Sequence, residues 1–351
     1  MKLHRLSIRN AGFTIIEFLV ASSLAIIVIM AAGGTYFMTR KLNHSAQQRL
    51  DIQQNLRNAA LQITRDARLA GSFGCYSTGN DATIVSDITA PDFSAVTTTE
   101  VVLDANKAEG FGIYKGTYKS MPTLFFIYGQ GETGITRVNG LTNANTNNIT
   151  GLTLASGSGD NAQNKNLDPL RQTINGGGFI VLSSCRSAYA LRTPRLNGDN
   201  LPVSLTNAQL STQDSGTIAI SKLHAVAYSF DQAGKQVFRM ELGNNGQWQE
   251  PQLISKGING MDIGFGYTQN CPASFSDAAS TTAETFTFSN TTAEKKLPSL
   301  VQIRFNYDLD IPPKNATAAP GTTAPAITTA DYFINATVRG GNSCGNRMPL
   351  K

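Results

Sequence analysis

The chain reads as an α+β protein in which one long N-terminal α-helix, membrane-spanning in its first half, packs on a mainly antiparallel, β-rich globular head. Three observations predict this. Phe18 to Met38 is an apolar run of 21 residues without a charge, about 32 Å as a helix at roughly 1.5 Å per residue, enough to cross a bilayer core. From Arg40 the helical signals continue without a proline as far as Gly71. Beyond Gly71, several stretches alternate apolar and polar residues with the period of half-buried strands.

At the start of the apolar run stands a lone carboxylate, Glu17, preceded by a short basic segment with Lys2, Arg5 and Arg9 and no acid. The positive flank is expected to stay cytoplasmic and the rest of the chain to face outward. A secretory signal, a plain anchor and a processed filament-type segment compete for this N-terminus. Small residues at Ala31 and Gly33 suit a signal peptidase. Glu17 decides against the first two readings, because a carboxylate one turn inside the run costs roughly 2.5–3.5 kcal/mol on insertion, and neither a signal nor a simple anchor gains from it. Gly33 and Gly34, inside the run, mark local unwinding, close helix packing or nothing beyond tolerated glycines.

The second half of the helix carries Leu56, Ala60, Ile63 and Ala67 at i, i+4, i+7 and i+11, a narrow stripe for packing on the head. Its basic residues read as a solvated surface, or alternatively as the lining of a filament neighbour. In the head, Val301, Ile303, Phe305, Tyr307 and Leu309 alternate with polar residues, as do Met261, Ile263, Phe265 and Tyr267, and then Tyr332, Ile334, Ala336 and Val338. Between His224 and Met240, two apolar runs flank Asp231-Gln232-Ala233-Gly234, a hairpin signal. Residues 76–175 are less regular, with strands expected at Glu100–Leu103 and Leu124–Tyr128 and an Asn/Gly-rich loop at Asn143–Asp168. Ser274–Lys296 and Pro312–Ala330 read as exposed, mobile low-complexity insertions. No internal repeat is visible.

Charged residues make up only 15% of the 351, which suits an exported, loop-rich domain. The net charge of +5 is concentrated at the N-terminal end: residues 69–351 hold 20 basic and 21 acidic side chains. A nearly neutral head gives no argument for nucleic acid. The four cysteines, Cys75, Cys185, Cys271 and Cys344, fit two disulfides in an oxidising compartment, with three connectivities open. Cys271 follows one alternating strand and Cys344 another, so Cys271–Cys344 is expected if these strands are antiparallel neighbours with offset ends. Elimination then leaves Cys75–Cys185.

No C-x-x-C spacing and few histidines argue against a metal, and no cofactor is expected. Gly129-Gln130-Gly131-Glu132-Thr133-Gly134 matches a dinucleotide fingerprint in form, but Ile135 to Gly140 read as strand and turn where a helix is needed, and a glycine-rich hairpin is the better reading. Gly341-Asn342-Ser343-Cys344-Gly345 has the form of a nucleophile elbow without a following helix, acid or histidine. Asp160, Asn161, Asn164, Asn166 and Asp168 do not have the spacing of a calcium loop. Catalysis by this chain is not expected.

Gly12-Phe13-Thr14-Ile15-Ile16-Glu17 resembles the prepilin cleavage motif of type IV pilins and type II secretion pseudopilins. The resemblance implies that a prepilin peptidase cuts between Gly12 and Phe13 and methylates the new N-terminal Phe13. Glu17, the fifth residue of the mature chain, then pairs with an amine, its own or that of the adjacent subunit. The closing segment RDARLAGSFGC, with GFIVLSSCRSAYAL at 178–191 and SLVQIRFNYDL at 299–309, resembles the large minor pilins of the PilW family. That likeness implies a pilin-like fold. It divides the chain into a leader (1–12), a membrane and filament-core half of the helix (13–39), a head-packed half (40–70) and a head (71–351).

Its implied role is initiating type IV pilus assembly, at the tip, with other minor pilins, the major pilin and a tip adhesin as partners. Before assembly such a chain sits in the inner membrane with its head in the periplasm, and afterwards in the pilus. A minor pseudopilin of type II secretion and a DNA-uptake pilin are the alternatives.

Overall fold

A computed structural model of the protein describes residues 14–74, 76–77, 96–109, 112–140, 147–154, 170–184, 187–192, 195–198, 200–208, 210, 218–269, 285–289, 297–308 and 329–339. The helix predicted from about Phe13 to Ala70 is a single uninterrupted α-helix, α1 (Ile15–Leu69), of 55 residues. At roughly 1.5 Å per residue it is about 82 Å long. Gly33 and Gly34 do not unwind it, and nothing lies within 4 Å of where their Cβ atoms would stand. It stops at Ala70, whose N–H donates to the carbonyls of Asp66 and Ala67, and Gly71 then takes a positive φ of 74°.

The head is built from antiparallel pairs throughout the described residues. After a small hairpin, β1 (Ser72–Phe73) with β2 (Tyr76–Ser77), comes β3 (Val101–Glu109) and β4 (Ile113–Tyr118). The long β5 (Met121–Asn139) and β12 (Ala219–Asp231) pair at the centre of the large sheet. Around them stand β7 (Gly151–Leu154), β8 (Phe179–Ser183), β9 (Ala188–Arg192), β10 (Asn200–Leu201), β13 (Gln236–Glu241) and β14 (Gln252–Lys256). A separate pair joins β6 (Asn147–Ile149) to β11 (Leu205–Ala208). The small sheet has the order β16 (Thr285–Ser289), β15 (Ile258–Gln269), β17 (Leu300–Asp308), β18 (Thr329–Thr337).

The three alternating stretches form β15, β17 and β18, and in β17 Val301, Ile303, Phe305 and Tyr307 are all buried. The hairpin at Asp231–Gly234 joins β12 to β13, with the Asp231 carboxylate accepting from the Ala233 N–H at 3.0 Å. The central strands are buried on both faces. Leu124, Phe126, Val226 and Tyr228 turn toward α1 and the small sheet, whereas Phe125, Ile127, Ala225 and Ala227 meet Phe73, Tyr114 and Phe179 on the other side. The first of these cores places α1 against both sheets, with Leu56, Ile63 and Ala67 touching the same cluster as Phe305, Ile334 and Ala336. A third cluster lies around the helical turn at 170–175.

Some expectations are corrected. The Asn143–Asp168 stretch is not all loop, because β6 and β7 form there and β7 extends the large sheet. The insertion at 274–296 contains β16, an edge strand on β15. Gly129–Gly134 is no hairpin turn. It runs within β5, with Gly131 at φ 68° where the register against β12 shifts between Ile220 and Lys222. A positive φ at such a shift favours glycine, which reaches it without a Cβ clash. Head packing begins later than Arg40, since Ile52 is the first buried residue of α1 and 40–51 form a stalk without a buried residue.

The strands preceding Cys271 and Cys344 are not antiparallel neighbours. β17 lies between β15 and β18, and because both run antiparallel to it they are parallel to each other. Gly266 and Thr337 both stand opposite Leu300, so the two strands end at the same side of the sheet, two strand spacings or about 10 Å apart. All four cysteines lie outside the described residues, and so do Gly12, Phe13, Asp160–Asp168 and Gly341–Gly345.

Candidate functional site: the projecting helix and the clamp at its base

The apolar run projects from the head with none of its faces covered. From Ile15 at 80% to Met38 at 68%, its large side chains are exposed all round. An 18-residue window reaches a mean hydropathy of 2.5. From Ile15 to the first buried residue, Ile52, the helix extends about 55 Å at roughly 1.5 Å per residue. It is long and apolar enough to cross a membrane. Its serine and threonine hydroxyls are satisfied within the helix: Ser22, Ser23 and Thr35 donate to the carbonyls of Leu19, Val20 and Ala31 at 2.9–3.0 Å. None of these three hydroxyls needs water as a partner, whereas the Tyr36 hydroxyl, near the end of the run, has no partner within the helix among the described residues.

At the start of α1, Glu17 occupies the third helical position and closes a capping box with Thr14. The Thr14 N–H and hydroxyl both donate to Glu17 Oε2 at 3.0 Å, and the Glu17 N–H donates to the Thr14 hydroxyl at 3.3 Å. The carboxylate thus satisfies N-terminal donors of the helix and sits at the positive end of its dipole. Thr-x-x-Glu before an apolar run is the sequence signal for this arrangement, and it lies within the hexapeptide 12–17. Among the described residues Glu17 Oε1 takes no hydrogen bond.

The other end of the helix is held by a polar clamp. Asp66 is fully buried, its carboxylate receiving the hydroxyls of Tyr228 at 2.7 Å and Tyr128 at 3.4 Å, Arg239 Nη2 at 3.3 Å and Arg65 Nε at 3.3 Å. Arg239 also donates to the Tyr228 hydroxyl at 3.3 Å and pairs with Glu241. Burial, reinforced by the charge of Asp66, pushes the Tyr128 and Tyr228 hydroxyls far above the usual phenol range, so both stay protonated as donors. The helix end is fixed further where Gly71 N–H donates to Ile127 O at 2.9 Å. Gly112 must be glycine beside this contact, because a Cβ there would lie 2.2 Å from Gly71 N.

In the sequence Asp66 is one charge among the many of 40–68 and passes for a solvent-facing one. It falls on the spacing of the buried face, Leu56, Ala59, Ile63 and Asp66, and a carboxylate in that register is the signal for a buried polar partner.

Beside the clamp, His224 packs on Tyr128 with ring centroids 4.7 Å apart, and its Nδ1 is buried without a partner among the described residues. Burial lowers its pKa, with Lys222 and Arg239 acting in the same direction and Glu241 and Asp66 opposing. A folded-state pKa below the unfolded value of about 6.5 means that the unfolded chain binds the proton more tightly. The stability from neutral His224 is therefore complete above about pH 6.5 and is lost as pH falls from there toward the lower folded value. Thermal melts at pH 7.5, 6 and 5 are expected to show a declining midpoint, and His224→Leu is expected to remove most of the decline. An equal decline in the variant would assign it to other groups.

Among the described residues no cluster of three His, Cys, Asp or Glu side chains could hold a metal. No family model, no curated protein and no solved structure matches the chain.

Proposed function

We propose that this chain is a filament subunit of the minor-pilin type, processed between Gly12 and Phe13 and held in the inner membrane, head outward, until it enters a type IV pilus. The observation that carries this reading is the lone carboxylate, Glu17, at the start of a bare apolar helix that projects about 55 Å from a large head. Capping through Oε2 would serve a plain membrane anchor as well, so what the filament reading adds is a partner for the charge that Oε1 leaves open. In a filament core the same helix exchanges lipid for the apolar helices of its neighbours.

The capping box supports the chemistry of that exchange. Oε2 is committed to Thr14, which leaves Oε1 to accept an ammonium, and cutting after Gly12 would create one on Phe13 of each incoming subunit. A buried carboxylate left without that partner carries a desolvation cost of several kcal/mol, so pairing sets the axial position of one subunit against the next. A head of this size fits a tip position, where nothing need stack above it, and the partners there would be other minor pilins and a tip adhesin.

Glu17→Ala is expected to leave the chain processed and membrane-inserted while its amount in sheared filaments falls at least about tenfold, the loss of one well-formed buried ion pair. Immunoblots of sheared and membrane fractions, with mass spectrometry of the N-terminus, measure both. Undiminished incorporation of the variant would remove the proposal's basis.

A further inference from the structure

Where α1 meets β18 the head carries a groove of about 880 Å³. Four guanidinium groups line it, Arg57, Arg65 and Arg68 from the helix and Arg339 just beyond the strand, with Leu61 and Tyr332 among its apolar walls. Among the described residues no carboxylate lines it. Arg65 touches Asp66, but that carboxylate is buried beneath it in the clamp while the Arg65 side chain stays 64% exposed. Among the described residues Arg57, Arg68 and Arg339 form no ion pair. Leu61 is 68% exposed in the middle of this stripe, and from Arg57 to Arg68 the groove runs about 16 Å, three helical turns.

We propose that this groove docks an acidic, apolar-anchored segment of a different protein. Its carboxylates would pair with the four arginines, and its apolar side chains would cover Leu61 and Tyr332. Three other occupants fit less well. Arg57 stands about 28 Å along the helix from Met38, beyond the headgroup layer of a bilayer that holds the apolar run, so anionic lipid does not reach it. The chain's own residues 340–351 carry Arg347 and Lys351 and no acid, the wrong charge for this site. A second copy packing through the same helix would bring Arg40, Lys41, Arg49 and Arg57, with Asp51 as the single carboxylate among them, against these arginines, a net repulsion. The proposal goes beyond the filament reading, and neither Gly12, Phe13 nor Glu17 enters it, so its outcome is read separately from that of Glu17→Ala.

The test places p-benzoylphenylalanine at Leu61 in the full-length chain in native membranes. Leu50, equally exposed on the same helix but outside the groove, serves as the control position. After illumination, mass spectrometry maps the adduct. The expected result is an adduct specific to position 61, on a segment of another protein carrying at least two carboxylates. Arg57→Gln with Arg68→Gln should reduce it about fivefold, as two exposed ion pairs of ordinary strength would give. The proposal is overturned if position 61 gives no more adduct than position 50, if the adduct is phospholipid, a second copy or a segment without carboxylates, or if the arginine variant leaves the yield unchanged.

Discussion

Asp66→Ala is expected to lower the stability of the head by about 3–5 kcal/mol, the range for removing one partner of a buried ion pair. The loss should lie toward the lower end, because Glu241 keeps Arg239 paired when Asp66 is gone. What remains unmet are the hydroxyls of Tyr228 and Tyr128, both buried and both held protonated. Asp66→Asn keeps an acceptor for them and removes only the charge, so it should cost less. Urea denaturation in detergent, followed by the fluorescence of Trp248, the single tryptophan, measures the series. Trp248 suits this purpose because it packs edge-on against Phe125, 5.8 Å between centroids, on the sheet that carries Tyr228. A change within about 0.5 kcal/mol for Asp66→Ala would show that the clamp contributes nothing to stability.

Ile63→Ala is expected to cost about 2–5 kcal/mol by the same measurement. Ile63 has no exposed surface and sits where α1 meets both sheets, so the cavity left by its lost carbons cannot fill without moving two layers. Leu61, two positions earlier on the same helix, is 68% exposed, and Leu61→Ala should stay within about 0.5 kcal/mol. The contrast tests the orientation of the helix on the head. Equal effects at the two positions would mean that this face assignment is wrong.

The two helix faces also show what the sequence made legible. The stripe through Leu56, Ile63 and Ala67 and the alternation in β15, β17 and β18 were readable because each element buries one face and leaves the other polar. The central strands were read from their apolar runs and the Asp231–Gly234 turn, since they offer no alternation. β5 and β12 are buried on both sides, so Leu124-Phe125-Phe126-Ile127 shows no period, and the extent of β5 through a run of glycines had no local signal. β6, β7 and β16 are short, and they depend on partners distant in sequence. At the site, Glu17 stood out as a charge in an apolar run. Asp66 did not, because a carboxylate among arginines looks like surface until its register is set against the buried face.

The stalk at 40–51 has a consequence for the molecule as a charged body. With the apolar run in a bilayer, about 21 Å of helix separates Met38 from Ile52, of which the headgroup layer takes about 5–8 Å, leaving roughly 15 Å, nearly two Debye lengths at physiological salt, between the lipid charges and the first buried residue of the head. Exposed charges on the head would therefore feel the lipid surface only weakly. A single uninterrupted helix then sets the height of the head above the bilayer.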